Sequence, residues 1–459
     1  MKHLYLIFCL GVLLSTRLTA QITFQKTYGV ESLSDYAQSI IQTPDEGYLV
    51  AGLKQVIGTD WRLMLMRTDK YGNEVWTKLF AYPPNSIEPS SIENTNDGNY
   101  IITGLSGYDV FLLKVDTQGN EMWHKIYETP DKDWGKEAKQ ALDNGYIIAG
   151  WRAQTSYPSR NDMLLVRTNE DGDTLWTRVY HNDGISNTGY AIDQLPDSSI
   201  VLAGTTGLSS TNLYIVRVKF NGDTIWTKTI NSLISGTAYD VTLADNGNII
   251  VAGYSTLNGC SQPVSVEMDL NGNLIWYQIY TDGPCGWAYS VTKTSDNGYA
   301  LFGLDESYDC YLIKTNSSGN QQWFKKFHER DANYGYCMRQ TSDDGFIMTG
   351  ITSSNGYYPD ILLIKTDSTG NVLSGINEIQ NADIFLIFPN PTSNNLEIQN
   401  NSKQVPQFSC YNSLGEKVIS KLLTNKTSII DLSAYSNGIY FYNLGNDKQI
   451  IESGKIIKQ

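Results

Sequence analysis

A tryptophan recurs about every fifty residues along most of the chain, and this spacing restricts the fold more than any other feature of the sequence. The column consists of Trp76, Trp123, Trp176, Trp226, Trp276 and Trp323. Each tryptophan stands four residues after a glycine, and the glycine column has a seventh member, Gly370. A period of about fifty residues indicates a repeat architecture, in which similar units pack against one another.

Each repeat contains four short runs separated by turn residues, a pattern typical of antiparallel β-strands. In the first repeat the runs are DYAQSIIQT, GYLVAGL, RLMLMRT and NEVWTKLF, beginning at Asp35, Gly47, Arg62 and Asn73. The glycine between the third and fourth runs is always followed by Asn or Asp, as suits a tight hairpin with positive φ. Seven such units predict an all-β fold, a seven-bladed β-propeller.

The first run of each repeat is predicted to be the innermost strand. One register of this run holds only Ala, Gly or Pro: Ala37, Pro89, Gly135, Gly189, Ala238, Ala288 and Gly335. Small residues at one register indicate that backbones approach closely, as they do where sheets converge. The next register holds Gln38, Ser90 and Lys136, and then four tyrosines: Tyr190, Tyr239, Tyr289 and Tyr336.

The seventh repeat is incomplete, because Ser374 stands where its tryptophan is expected. The segment ITFQKTY near the N-terminus supplies a matching strand. Its residues Phe24, Lys26 and Tyr28 are in register with Trp76, Lys78 and Phe80. We therefore expect this segment to pair with the last repeat and close a ring, whereas a solenoid would need distinct capping repeats.

Two basic columns also recur. The first is Arg67, Lys114, Arg167, Arg217, Lys314 and Lys365, and the second is Lys78, Lys125, Arg178, Lys228 and Lys325. We expect both to pair with acids on the sheet surfaces. In the fifth repeat, Glu267 replaces the basic residue of the first column and Gln278 replaces that of the second. Their joint replacement is consistent with a shared partner.

The chain of 459 residues is predicted to have four segments. Residues 1–20 have an apolar run from Leu4 to Leu14 and Ala20 before Gln21, which indicates a secretory signal peptide. Residues 21–377 are assigned to the propeller, 378–386 to a linker and 387–459 to a small Ig-like β-sandwich. No later run is long and apolar enough to span a bilayer.

Charge and cysteine content restrict the partners. The net charge of −14 argues against nucleic acid, because a polyanion would be repelled. Cys260 and Cys285 lie in loops of neighbouring repeats, where a disulfide and two free thiols are both consistent with the sequence. The cysteines in strand-like runs, Cys310, Cys337 and Cys410, are expected to be small buried residues.

The motif Asp-x-x-Gly-Asn-x-x-Trp, as in DKYGNEVW and DTQGNEMW, resembles the tryptophan-docking repeats of quinoprotein-like propellers. It also resembles secreted bacterial seven-bladed propeller repeats, over about residues 22–375. The resemblance implies that the tryptophan packs between blades. The turn at Asn169–Asp173 is similar to a calcium loop, but Lys219 replaces an acid in the fourth repeat. We therefore expect hairpin turns, no metal and no cofactor.

One face of the predicted propeller carries the loops after the second and fourth strands of each repeat. These loops vary while the turns on the other face are uniform, as is usual where a scaffold carries a binding site. The candidate ligand-binding residues are Trp134, Tyr157, Arg160, Trp287, Tyr334, Tyr357 and Tyr358, beside Asp131, Asp133, Glu329 and Asp331. Aromatic planes beside carboxylates suit sugar rings or a protein interface, and ordinary surface tyrosines are the alternative.

No catalytic residue is assigned. His181 and His328 follow the fourth strand in different repeats, with Asp183 and Asp331 near them in sequence. A histidine on a loop is more often a surface residue than a base, and no nucleophile or zinc-protease motif accompanies these two.

The C-terminal segment is similar throughout to the type A sorting domain of the Bacteroidetes type IX secretion system. The matching residues include Pro389, Asn390, Pro391, Gly415, Gly438, Tyr440 and Lys455. The resemblance implies passage through the outer membrane, recognition by the secretion machinery, and release or attachment at the cell surface.

The sequence thus favours a secreted or cell-surface binding module for a glycan or a protein. The alternative is a polysaccharide-active or quinone-dependent enzyme that uses the variable face.

Overall fold

The computed structural model describes residues 21–29, 33–58, 60–82, 87–154, 160–181, 185–207, 211–230, 235–328, 332–354, 358–372, 385–400, 405–412, 414–446 and 449–459. The chain divides into two compact units between Leu373 and Ser374. The predicted signal peptide and most of the predicted linker lie outside the described residues. All regular secondary structure in the described residues is β-strand, so the predicted all-β class is confirmed.

The described strands of the first unit form seven four-stranded antiparallel sheets. The N-terminal strand is β1 (Phe24–Tyr28), and the first sheet follows it with β2 (Asp35–Gln42), β3 (Tyr48–Ile57), β4 (Asp60–Thr68) and β5 (Glu74–Phe80). The second sheet is β6 (Ile87–Asn94), β7 (Tyr100–Ser106), β8 (Asp109–Val115) and β9 (Glu121–Tyr127). The third is β10 (Lys132–Gln140), β11 (Tyr146–Gln154), β12 (Arg160–Thr168) and β13 (Thr174–Tyr180).

The remaining sheets of this unit repeat the same order. The fourth is β14 (Asn187–Gln194), β15 (Ile200–Thr206), β16 (Asn212–Val218) and β17 (Thr224–Thr229). The fifth is β18 (Gly236–Leu243), β19 (Ile249–Leu257), β20 (Cys260–Met268) and β21 (Leu274–Ile279). The sixth is β22 (Gly286–Lys293), β23 (Tyr299–Asp305), β24 (Cys310–Thr315) and β25 (Gln321–Phe327). The seventh is β26 (Ala332–Gln340), β27 (Phe346–Ser354) and β28 (Tyr358–Thr366), completed by β1.

The pairing of β1 with β28 confirms the predicted role of the N-terminal segment. Phe24 lies opposite Lys365, as Trp76 lies opposite Arg67 in the first sheet. The N-terminal strand therefore occupies the outermost position of the seventh sheet, in the register expected from the sequence.

The innermost strands β2, β6, β10, β14, β18, β22 and β26 contact one another in turn, and β26 contacts β2. The Oγ of Ser39 lies 3.6 Å from the Sγ of Cys337 where the first and seventh sheets meet. Apolar side chains fill the space between neighbouring sheets, as Leu49 and Leu65 do with Ile92 and Ile102. The seven sheets thus surround a common axis.

Each outer-strand tryptophan packs on the turn glycine of the next sheet. A Cβ added to Gly119 would clash with the ring of Trp76, and one added to Gly172 would lie 2.8 Å from the ring of Trp123. In the seventh sheet Phe24 occupies the position of the tryptophan and packs on Gly72. A Cβ added to Gly72 would lie 2.8 Å from the ring of Phe24. The predicted packing role of the tryptophan column is therefore confirmed, and β1 uses the same contact.

The two basic columns have different partners, so their joint loss in the fifth repeat does not reflect a shared one. The first column pairs within its own sheet with an aspartate of the first turn, as Lys365 does with Asp343 at 3.0 Å. The second reaches the turn of the next sheet, as Lys125 does with Asp173 at 2.7 Å. In the fifth sheet the first pair is replaced by Glu267, which accepts hydrogen bonds from Asn246 and Asn248.

The described strands of the second unit form two antiparallel sheets. One sheet has the order β29-β30-β33, with β29 (Phe385–Phe388), β30 (Asn395–Asn400) and β33 (Thr427–Asp431). The other has the order β32-β31-β34-β35, with β31 (Gln407–Tyr411), β32 (Lys417–Leu422), β34 (Gly438–Asn446) and β35 (Gln449–Lys458). Both sheets contribute to one apolar core, which includes Leu396, Ile398 and Phe408.

Candidate functional site at the axis of the first unit

A β-bulge interrupts the innermost strand of every sheet in the first unit. The extra residues are Gln38, Ser90, Lys136, Tyr190, Tyr239, Tyr289 and Tyr336. A bulge leaves its extra residue outside the ladder and redirects that side chain. Because the inner strands surround the axis, the seven side chains form a ring, which is polar on one side and aromatic on the other.

The four tyrosines of this ring contact one another in sequence. The ring centroids of Tyr190 and Tyr239 are 5.3 Å apart, those of Tyr239 and Tyr289 are 4.7 Å apart, and those of Tyr289 and Tyr336 are 6.4 Å apart. Burial raises the pKa of Tyr289 to about 12, so its hydroxyl is protonated at neutral pH. All four side chains are half-buried, which leaves part of each ring accessible.

Further aromatic residues extend the cluster towards the loops. Tyr254 stacks on Tyr239 at 6.0 Å and contacts Trp287 at 6.4 Å. Tyr334 stacks on Tyr336 at 6.5 Å and contacts Tyr308 at 5.2 Å. We call the whole set the axial aromatic surface: Tyr190, Tyr239, Tyr254, Trp287, Tyr289, Tyr308, Tyr334 and Tyr336.

The polar side of the ring contains Lys136. Its Nζ lies 4.5 Å from the ring centroid of Trp134, which in turn packs on Trp151 at 5.6 Å. Burial lowers the pKa of Lys136 to about 8, against the opposing effect of Glu88. The ammonium is therefore charged at neutral pH but poorly hydrated.

Charged residues fill the axis nearer the opposite end of the inner strands. Arg339 pairs with Glu93 across an intervening sheet, and Lys139 lies 3.1 Å from Asp193. Burial raises the pKa of Glu137 to about 8, although Lys139 opposes the shift. The axial aromatic surface is consequently approached from the face that carries the variable loops.

The sequence-predicted candidates are distributed unevenly around this surface. Trp287 and Tyr334 belong to it, and Trp134 contacts the lysine of the same ring. Arg160 begins β12, with no ring contact to the cluster, and its Nε is buried without a hydrogen-bond partner among the described residues. Tyr358 begins β28 and is 47% exposed. The candidates Tyr157 and Tyr357 lie outside the described residues.

The sequence favours a site in the loops, whereas the innermost strands supply the four central tyrosines of this candidate site. Their signal was present in the sequence as one register that holds tyrosine in four consecutive repeats. The bulge could not be read from the alternation of apolar residues, because that alternation assumes an uninterrupted strand.

His328 forms a second polar feature on the variable face. Its side chain is 70% exposed, and Nδ1 is within hydrogen-bond distance of Asp309. Burial would raise the pKa of Asp309, but hydrogen bonds from Lys326 and His328 outweigh this and lower it. A carboxylate that orients an imidazole suits general acid–base chemistry. His181 is exposed beyond β13, while Asp183 and Asp331 lie outside the described residues.

A disulfide joins Cys260 and Cys285 on the variable face, with their Cα atoms 5.7 Å apart. With Glu306 they are the one group of potential metal ligands in the described part of the chain. Both sulfurs are in the disulfide, so they are not thiolate ligands. Cys310, Cys337 and Cys410 are buried, as expected.

A cavity of about 320 Å³ lies on the opposite face, between the first and seventh sheets. It is lined by Gln42, Glu46, Ser342, Asp343 and other turn residues. Its aspartate already pairs with Lys365, and the axial aromatic residues do not reach it.

In the second unit, the predicted sorting residue Asn390 connects the start of the segment to its end. Its Oδ1 accepts a hydrogen bond from the backbone of Ile457 at 2.8 Å, and its Nδ2 donates to the carbonyl of Lys455 at 2.7 Å. Tyr440 is buried in the apolar core. Pro389 and Pro391 flank Asn390, Gly415 has a φ of +80°, and Gly438 begins β34.

The ring of four-stranded antiparallel sheets in the first unit defines a β-propeller protein. A catalytically inactive virginiamycin B lyase from Staphylococcus aureus, with quinupristin, is similar at 9% identity and a TM-score of 0.50, over 74% of this chain and 99% of that chain. A protein of unknown function from Dyadobacter fermentans is similar at 10% identity and a TM-score of 0.47, over 74% and 97%. The likeness to the lyase concerns the fold alone. No curated protein sequence matches the chain.

Residues 386–459 match the family described as Secretion system C-terminal sorting domain. The chain therefore carries a type IX sorting domain, and it is exported to the cell surface or beyond. The machinery of that system is a partner of this segment. In the described part of the chain, no helix has the length and apolar character needed to cross a bilayer.

Proposed function

We propose that the protein is an exported binding module in which a seven-bladed β-propeller holds a glycan or protein ligand at the axial aromatic surface. The contacts among Tyr190, Tyr239, Tyr289 and Tyr336 carry the proposal. Half-buried tyrosines fixed on bulged strands offer a large contact area at low entropic cost. Such a rigid aromatic surface suits stacking against the apolar faces of sugar rings, or the centre of a protein interface.

The proposal assigns a role to each segment. Residues 1–20 are a signal peptide, 21–377 form the propeller, 378–386 are a linker and 387–459 form an Ig-like sorting domain from a Bacteroidetes protein. The Cys260–Cys285 disulfide supports passage through an oxidising compartment. The pairing of β1 with β28 and the seven sheets support a closed ring of seven blades.

A glycan array and a ligand titration test the proposal with the purified protein. We expect Tyr239→Ala and Trp287→Ala each to weaken binding by about tenfold or more, because each removes a stacking face. Tyr71→Ala is the matched control, since Tyr71 is 53% exposed in a hairpin turn of the opposite face. Unchanged affinity in both axial variants would place the ligand elsewhere.

The orientation of His328 by Asp309 favours a second candidate, an enzyme acting on polysaccharide. Such an enzyme would shorten a bound polysaccharide, and His328→Ala would abolish the cleavage without abolishing binding. Absence of any cleavage by the wild-type protein of the glycans that it binds would exclude this candidate.

A further inference from the structure

Lys136 differs from most of the buried or half-buried cations of the first unit. The basic residues Arg67, Lys114, Arg167, Arg217, Lys314, Lys365, Lys139 and Arg339 each form an ion pair with a carboxylate. Among the described residues, no carboxylate lies within ion-pair distance of Lys136. Its Nζ lies over the ring of Trp134, and Glu88 acts on its charge only from beyond that distance. Partial burial of an unpaired ammonium is unfavourable, so this position has a cost that a bound anion would offset.

In the order of the ring, Lys136 is the neighbour of the first tyrosine. The bulge residues follow one another around the axis in sheet order, so Lys136 of the third sheet precedes Tyr190 of the fourth. A ligand stacked on Tyr190 would therefore occupy the ring position next to Lys136.

The cations deeper in the axis are not available to bind an anion in place of Lys136. Arg339 and Lys139 are held by Glu93 and Asp193. The two other acids at that depth, Glu137 and Asp240, have pKa values raised by burial. Lys136 is therefore the cation of the ring that remains available to an anion.

Building on the proposed glycan-binding function, we propose that the axial site takes an acidic saccharide. Its carboxylate pairs with Lys136, and the faces of its sugar rings stack on Tyr190 and Tyr239. A uronic acid fits this arrangement because it carries an apolar ring face and a carboxylate in one residue. An ion pair in a partly desolvated site is also stronger than one in water.

Calorimetric titration of the intact protein with chemically matched saccharides tests this inference. The probes are uronate oligosaccharides (oligogalacturonate, oligoglucuronate and oligomannuronate) and the neutral oligosaccharides made from each by carboxyl reduction. We expect at least one uronate oligosaccharide to bind about tenfold or more tightly than its carboxyl-reduced form. Added salt should reduce this difference in affinity, because it screens the ion pair.

Lys136→Met retains the apolar stem and removes the charge, so it should abolish the preference for the acidic form, and Lys136→Arg should retain it. Lys132→Met is the matched control. Lys132 lies on the same strand, with its Nζ 4.3 Å from the ring centroid of Tyr108, which is outside the axial ring. Thermal unfolding checks the fold of each variant, and Lys136→Met should be no less stable than the wild type.

The outcomes separate this inference from the proposed function. Equal binding of acidic and reduced saccharides, or a preference that survives Lys136→Met, would overturn the acidic-ligand proposal and leave glycan binding intact. Binding of neutral glycans alone would also overturn the acidic-ligand proposal and leave glycan binding intact. Binding of a protein and of no saccharide would overturn the acidic-ligand proposal and the glycan form of the proposed function together.

Discussion

The contact between a tryptophan and a turn glycine explains why both residues recur in the same repeats. Gly119 has a φ of +72°, a conformation that L side chains adopt at a cost, and its missing Cβ leaves room for the ring of Trp76. The glycine thus serves its own hairpin and the packing of the preceding sheet. The sequence indicates only the turn role of the glycine, because the packing role involves a residue on another sheet.

Gly119→Ala should therefore be more destabilising than a substitution at a glycine that serves its turn alone. Gly98 is the matched control, because its φ is +80° and an added Cβ would meet nothing within 4 Å. We expect Gly98→Ala to lower the free energy of unfolding by about 1 kcal/mol and Gly119→Ala by about 2–4 kcal/mol. Chemical denaturation measures both, and equal losses would contradict the docking role.

At the scale of strands, the repeat pattern predicted much of the fold and less of the site. The hairpin turns and the register of β1 followed from columns of identical residues, which are insensitive to small errors in strand boundaries. The bulges did not follow, because one extra residue leaves the composition of a strand unchanged while redirecting its side chains. For that reason the sequence predicts Trp134, Trp287 and Tyr334 as site residues, whereas it shows the central Tyr239 and Tyr289 only as members of a recurring column.

The pairing of β1 with β28 predicts a large effect for a short deletion. Removal of residues 21–29 would expose the edge of β28 and leave Gly72 without its aromatic partner, so we expect aggregation or a strongly lowered melting temperature. Light scattering and thermal unfolding measure these effects. Unchanged monomeric melting would show that ring closure does not depend on this strand.

A substitution within β1 gives a graded form of the same test. Phe24 is 8% exposed, and Phe24→Ala should cost about 3 kcal/mol or more. Val75→Ala is the control on another outermost strand. Val75 is 60% exposed, and its loss should change stability by about 0.5 kcal/mol or less.

At the scale of the whole molecule, the two units have separate tasks. The sorting domain directs export, and the propeller carries the proposed ligand site. The sequence identified the C-terminal segment from the order and spacing of its motifs. It could not identify a ligand, because the residues that recur in the propeller are those that maintain its packing.

Removal of residues 387–459 should stop export while leaving the propeller folded. We expect the truncated protein to accumulate inside the outer membrane, with the Cys260–Cys285 disulfide formed and the thermal unfolding of the propeller retained. Cell fractionation and a thiol assay measure both. Export of the truncated protein to the medium at the normal level would contradict a sorting role for this segment.

The closure of the first unit also has a consequence for the order of its folding. The backbone of Ser368 donates a hydrogen bond to Gln21, a residue 347 positions earlier in the chain. Because β1 is the first strand of this unit in the chain and β28 is the last, the N-terminal strand has no partner until the three other strands of the seventh sheet are in place. Its pairing is a very long-range contact, which forms late because the entropy of closing so large a loop must be overcome. Until then the outer edge of β28 and the edges of β1 are unpaired, so a chaperone that protects such edges would act mainly during this interval.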